Sequence, residues 1–225
     1  MDGFGMMERK RYIKKENNNR SFVLKKFAQF FGIALVAALA VGLMVFLAYI
    51  DISAAGRIKD ASYTENLQET LLLFSSIIFI YLAKKKNARG LLLVAGFFAC
   101  MFIREWDAVF DELFHGAWKY FAIPTAIGFT LWALREGLQK VFDDLAEFMS
   151  SKSYYIIVTG LITILVVSRM LGSKAIWMLM SGPDFKYVFK TFIEEGIELL
   201  GYMTVFAGSS HYYFLKKNKG GSHLW

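Results

Sequence analysis

The chain has 225 residues, of which 56% are hydrophobic, 17% are aromatic and 20% are charged, with a formal net charge of +7. A soluble domain is usually about half apolar and about a quarter charged, so this composition excludes an ordinary water-soluble enzyme. It also excludes a disordered chain, and the single cysteine, Cys100, excludes a disulfide scaffold. We therefore expect a polytopic membrane protein.

Six apolar runs of 17 to 23 residues predict membrane-spanning helices. The first run follows a basic segment but is longer than the apolar part of a signal peptide, so we expect an uncleaved anchor. The predicted fold is all-α, a bundle of six transmembrane helices at 27–215, preceded by a basic segment at 1–26 and followed by a short tail at 216–225. The runs are residues 28–50, 67–83, 90–109, 118–134, 154–172 and 195–214.

The basic residues predict the topology. Of the 26 lysines and arginines, 18 lie in the N-terminal segment, the turn at 84–89, the loop at 135–152 and the tail, whereas 8 lie in the alternate segments. The positive-inside rule therefore places both termini in the cytoplasm. The same asymmetry accounts for the basic surplus through anionic membrane lipids, so no nucleic-acid partner is expected. The absence of an organelle address favours the bacterial cytoplasmic (inner) membrane.

One connecting segment has its own periodicity. Apolar residues recur at helical spacing among charged residues in 136–150, between the fourth and fifth runs. This pattern predicts an amphipathic helix that rests on the cytoplasmic face of the membrane.

Ionisable residues enter the outer ends of the second, third, fifth and sixth spans. A charge at this depth costs about 3 kcal/mol or more unless it is paired, hydrated or metal-bound. We therefore expect these side chains to converge in a polar pocket that opens towards the outer surface. The predicted pocket residues are Glu65, Glu69, Arg104, Asp107, Arg169 and Glu198.

Helical spacing also suggests a metal site. Arg104, Asp107, Asp111 and His115 are separated by three, four and four residues, which predicts one stripe on one helix. Asp111 and His115 can bind a cation together, and neighbouring helices can complete an oxygen and imidazole shell suited to zinc, manganese or iron. The predicted metal ligands are Asp111, His115, Glu69, Glu194 and Glu198.

Three functions are compatible with this constellation. In the first, a metal-dependent hydrolase attacks a lipid-like substrate with metal-bound hydroxide, and Glu105 or Glu195 is the catalytic general base. In the second, the charges carry a cation or a proton across the membrane, although the apolar inner halves of the spans offer few relays. In the third, an accessory protein uses the charges only as interhelical ion pairs.

Overall fold

The computed structural model describes residues 3–55, 62–182 and 187–219, and every regular element in these ranges is helical. This confirms the predicted all-α class. Residues 1–2, 56–61 and 183–186 and the end of the predicted tail, 220–225, lie outside the described residues. The helices are α1 (Gly3–Ala55), α2 (Tyr63–Lys85), α3 (Leu91–Glu105), α4 (Asp107–Asp111), α5 (Trp118–Leu134), α6 (Leu138–Met149), α7 (Lys152–Ile162), a π-helical segment (Thr163–Ser168), α8 (Arg169–Leu171), α9 (Lys174–Ser181) and α10 (Tyr187–Lys219).

Three helical stretches are long and apolar enough to cross a membrane. They are Ser21–Leu47 within α1, the whole of α2, and Lys152–Leu171, which includes the π-helical segment. The other three predicted runs also fall on helices. However, α3 has 15 residues and α5 has 17, which is shorter than the roughly 20 residues of a typical span, and the first half of α10 is rich in charge.

The contacts divide the chain into two units, Met1–Leu43 and Met44–Trp225. In the second unit α10 packs on α2 and α7, and α3 packs on α2 and α5. Phe79 is fully buried at the centre of an aromatic cluster. The centroid of its ring lies 5.3 Å from that of Phe148, 5.8 Å from that of Phe98 and 5.9 Å from that of Tyr212. This aromatic cluster joins α2, α3, α6 and α10 at the end of the bundle where α2 terminates.

Glycines allow α7 and the π-helical segment to approach α10 closely. A Cβ atom on Gly160 would lie 2.8 Å from the carbonyl oxygen of Gly201, and a Cβ on Gly201 would lie 2.5 Å from Cγ1 of Ile164. Small residues at such crossings let the helix backbones meet, which is a common packing device in membrane proteins.

The predicted amphipathic helix at 136–150 is present as α6, whereas its position on the cytoplasmic face of the membrane stays a prediction. Val141 and Phe148 are buried against the bundle, whereas Leu138 and Phe142 are exposed. Asp144 fixes the helix to the start of α3, because its Oδ2 accepts a 3.0 Å hydrogen bond from the backbone N–H of Gly90.

Candidate functional site

Glu198 lies in the interior of the bundle, against the end of the π-helical segment. Its side chain is almost completely buried, and its Oε1 is 3.1 Å from Nη2 of Arg169. The same oxygen is 2.9 Å from the hydroxyl of Ser168, which also lies 2.7 Å from the carbonyl oxygen of Ile164. π-helical turns shift the register of the residues that follow them and often occur at functional sites; here they set the direction of Ser168, and the long side chain of Arg169 reaches the same oxygen.

Glu194 lies one turn earlier on α10 and shares the same arginine. Its two oxygens lie 3.7 Å from Nη1 of Arg169 and 2.6 Å from Nζ of Lys190. Gly172 leaves room for this carboxylate, because a Cβ atom there would lie 2.3 Å from Cδ of Glu194. Arg169 therefore bridges two carboxylates, and Lys190 neutralises one of them.

Glu195 has a neutral partner on α2. The Nε2 of Gln68, a residue that is 1% exposed, lies 3.2 Å from the backbone oxygen of Glu195 and 3.3 Å from its Oε2. Glu195 also interacts electrostatically with Glu198 and Glu65, which are negatively charged when ionised. The amide of Gln68 thus supplies a hydrogen bond without compensating the charge of Glu195.

The end of α3 contributes a further acidic group. Glu105 lies 3.3 Å from Nη1 of Arg104 and interacts electrostatically with Glu69 on α2. Tyr202 of α10 is 1% exposed, and its hydroxyl faces Glu105 and Glu198. This hydroxyl makes no well-formed hydrogen bond with a described residue, and its interaction with Glu105 is a long or poorly aligned one. A buried hydroxyl normally has a well-placed partner, so this one can rearrange to contact a ligand.

These contacts define a carboxylate cluster to which α2, α3, the α7–α8 region and α10 contribute. It unites most of the residues predicted for the pocket, together with both predicted general bases. Asp107 is exposed on α4 and makes none of these contacts. The cluster consists of Glu65, Glu69, Glu105, Glu194, Glu195 and Glu198, the basic residues Arg104, Arg169 and Lys190, and the neutral residues Gln68, Ser168 and Tyr202.

The predicted single stripe from Arg104 to His115 is wrong, because the helix does not continue through it. α3 ends at Glu105, Trp106 interrupts the helix with ψ at 19°, and α4 ends at Asp111. Without a continuous helix the spacing of three and four residues no longer places these side chains on one face.

Asp111 and His115 form a local structure beside the bundle. Oδ1 of Asp111 accepts a 2.7 Å hydrogen bond from the backbone N–H of Gly116, and its Oδ2 lies 3.0 Å from Nδ1 of His115. The bond from Gly116 lowers the pKa of Asp111 below its ordinary value, and His115 contributes in the same direction. The His115 side chain is 99% exposed.

The predicted metal shell is not assembled by these contacts. Among residues 3–55, 62–182 and 187–219, no group of three or more His, Cys, Asp or Glu side chains is arranged to hold a metal ion. Metal binding by Asp111, His115, Glu69, Glu194 and Glu198 therefore stays a prediction.

Sequence reasoning missed Gln68, Ser168, Lys190 and Tyr202. Three of them are neutral, and neutral polar residues are common in transmembrane helices without a functional role. A helical signal existed for Tyr202 and Lys190, which lie four residues after Glu198 and four before Glu194. No local pattern identifies Ser168, because the π-helical segment sets its direction.

No protein-family model, curated protein or solved structure matches this chain. Its function must therefore be argued from the carboxylate cluster.

Proposed function

We propose that the protein is an integral membrane carrier for a proton or another small cation, and that the carboxylate cluster is its binding site. Apart from Glu65, the cluster holds five carboxyl groups and three basic side chains, so among these residues two carboxylates have no matching basic group when all of them are ionised. In a medium that solvates ions poorly, such an excess requires a bound cation or protonation. A site that is short of positive charge is suited to binding and releasing a cation.

The hydroxyl of Tyr202 is the observation that carries this proposal. It is buried between Glu105 and Glu198, and its interaction with Glu105 is too long or too poorly aligned to be a well-formed hydrogen bond. A cation or a hydrated proton bound beside these carboxylates would give the phenolic oxygen a well-placed partner. The proposal therefore assigns the binding position to the space that Tyr202, Glu105 and Glu198 face.

The contacts of Ser168 support reversible protonation of Glu198. The hydroxyl of Ser168 has one proton but lies within hydrogen-bond distance of two acceptors, Oε1 of Glu198 and the carbonyl oxygen of Ile164. It can donate to only one of them. If Glu198 carries a proton, that proton is donated to the Ser168 oxygen, and Ser168 donates to Ile164. Both contacts of Ser168 are then hydrogen bonds, whereas the ion pair between the same Glu198 oxygen and Arg169 is weakened, which favours release of the proton.

The proposal includes the six-span topology with both termini in the cytoplasm of a bacterial cell. In this arrangement the carboxylate cluster opens towards the outer side of the inner membrane. The positive-inside distribution of the 26 basic residues supports it. Single cysteines at Ala55, Asn87 and Asn218, introduced after replacing Cys100, test it. Labelling of position 55 from the cytoplasm, or of position 87 from outside, would contradict the topology.

Ion flux in liposomes tests the function. The protein is reconstituted into liposomes that contain a pH-sensitive dye, and a pH gradient is applied across the liposome membrane. A parallel experiment applies a sodium or potassium gradient. We expect wild-type protein to dissipate at least one gradient, and Glu198→Gln to abolish this flux because it removes the ionisable group but keeps the side-chain volume. Asp107→Asn, an exposed position outside the cluster, is the matched control and should retain the flux.

Two results would contradict the proposal. Wild-type protein that dissipates no cation gradient would leave the carboxylate cluster as a set of interhelical ion pairs. Flux that persists unchanged in both Glu198→Gln and Glu195→Gln would show that the cation crosses elsewhere. Thermal unfolding of each variant shows whether a loss of flux reflects a loss of fold.

A further inference from the structure

A second polar cavity lies at the turn between α2 and α3. It has a volume of about 200 Å³ and is lined by Ala83, Lys84, Asn87, Arg89, Leu92 and Trp132. The carboxylate cluster contacts α2 at Gln68, and the 16 residues from there to Lys84 span about 24 Å of helix. This cavity is therefore separate from the proposed cation site, and its interpretation rests only on the proposed topology, which puts the turn at 84–89 at the cytoplasmic surface of the membrane.

The two basic side chains at the cavity are held in different ways. Nζ of Lys84 lies 5.3 Å from the ring centroid of Trp132, and in the described part of the chain no carboxylate pairs with it. Arg89 donates from Nε to Oε1 of Glu136 at 2.8 Å. This bond orients the guanidinium and leaves its two terminal nitrogens without a protein acceptor among the described residues.

The cavity wall combines these donors with apolar surface. Ala83 and Leu92 are buried, and the ring of Trp132 forms the side supplied by α5. Asn87, the one described non-glycine residue with a positive φ, of 50°, turns the chain so that the amide side chain and both basic residues line the same space. A ligand must therefore offer an anion next to an apolar portion.

We propose that this cavity binds the phosphate of an anionic phospholipid, with the lipid chains directed along the ring of Trp132. Arginine and lysine are the usual phosphate ligands, and basic pockets between helices at the cytoplasmic surface select anionic headgroups. Tryptophan is suited to the level of the headgroups. The partly exposed ring of Trp132 favours a lipid over free phosphate, because inorganic phosphate would leave that ring in contact with water.

Lipid retention measured by native mass spectrometry tests this site. Purified full-length protein is incubated with phosphatidylglycerol, with phosphatidylcholine, or with inorganic phosphate alone. We expect phosphatidylglycerol to bind preferentially, and Lys84→Gln to weaken that binding about tenfold, as the loss of one charge-assisted hydrogen bond implies. The matched control is Lys85→Gln, since Nζ of Lys85 bonds to the hydroxyl of Tyr81 and does not line the cavity.

Comparing the three ligands distinguishes a bound phospholipid from free phosphate. Binding of phosphatidylglycerol that is equal in wild type, Lys84→Gln and Arg89→Gln would overturn the site. Full competition by inorganic phosphate would overturn the lipid assignment and identify a free phosphate ligand. Equal binding of phosphatidylcholine would show that the anionic charge is not recognised. The thermal unfolding temperature of Lys84→Gln should equal that of the wild type. A loss of lipid binding then results from the changed cavity and not from a loss of fold.

Discussion

The contact between Gly201 and Ile164 should control both the stability of the bundle and the geometry of the carboxylate cluster. Gly201→Ala adds a Cβ atom 2.5 Å from Cγ1 of Ile164 and 3.0 Å from the carbonyl oxygen of Gly160. Ordinary carbon contacts are about 3.5 to 4.0 Å, so the two helices must separate or the isoleucine must move. Ile164 belongs to the π-helical segment that ends at Ser168, and its displacement should therefore disturb the bond to Glu198.

The magnitude follows from two opposing effects. Overpacking of a well-filled core costs about 1 to 3 kcal/mol, whereas alanine in place of glycine stabilises a helix by up to about 1 kcal/mol. Gly128→Ala is the matched control, because Gly128 also lies inside a helix and a Cβ there would meet nothing within 4 Å. We expect the free energy of unfolding of Gly201→Ala to be about 1 to 3 kcal/mol lower than that of Gly128→Ala.

Equilibrium unfolding in detergent micelles, followed by tryptophan fluorescence, measures this difference. A second substitution sharpens the test. Ile164→Ala alone should cost about 2 to 5 kcal/mol, but it removes the atom that collides with the new Cβ. The two substitutions should therefore couple by about 0.5 to 3 kcal/mol in a double-mutant cycle. Equal unfolding of Gly201→Ala and Gly128→Ala, or strict additivity with Ile164→Ala, would refute the packing argument.

The remaining predictions concern α6 and the structure beside α4. Asp144→Ala removes the acceptor of the Gly90 N–H and should lower the free energy of unfolding by about 1 to 2 kcal/mol in the same assay, whereas the exposed Asp143→Ala should be nearly neutral. A double Asp111→Ala, His115→Ala variant should leave both cation flux and the metal content from elemental analysis unchanged; loss of a stoichiometric metal would instead favour the hydrolase. The Gly116 contact lowers the pKa of Asp111 from its ordinary value of 3.8. The contact should therefore be complete above pH 3.8 and weaken as the pH falls below that value, and the NMR shifts of His115 would report the change.

The helical class and the positions of the apolar runs were predictable because run length and composition depend only on local sequence. The contact between Arg169 and Glu198 was also expected, since charges within apolar helices must meet one another. The arrangement within the site was less predictable. No glycine or proline marks the interruption at Trp106, and the spacing argument for Asp111 assumed a continuous helix.

The contact of Ser168 with Glu198 was also not predictable from the sequence. The change of helical register before Ser168 sets the direction of its hydroxyl towards Glu198, and the long side chain of Arg169 reaches the same oxygen. Such a change results from packing between helices, here at the crossing of α7 and α10, and it leaves no periodic signal. The same holds for the buried orientation of Gln68 and Tyr202, which neighbouring helices determine.

Infrared difference spectroscopy of the carboxyl groups tests the cation site most directly. The protein is titrated with acid, and separately with sodium or potassium at constant pH, in lipid bilayers. We expect a band from a protonated, buried carboxyl group that decreases as the pH rises or the cation is added, and that is lost in Glu195→Gln or Glu198→Gln but retained in Asp107→Asn. A spectrum without any cation- or pH-dependent carboxyl band that depends on these glutamates would contradict the proposed binding site.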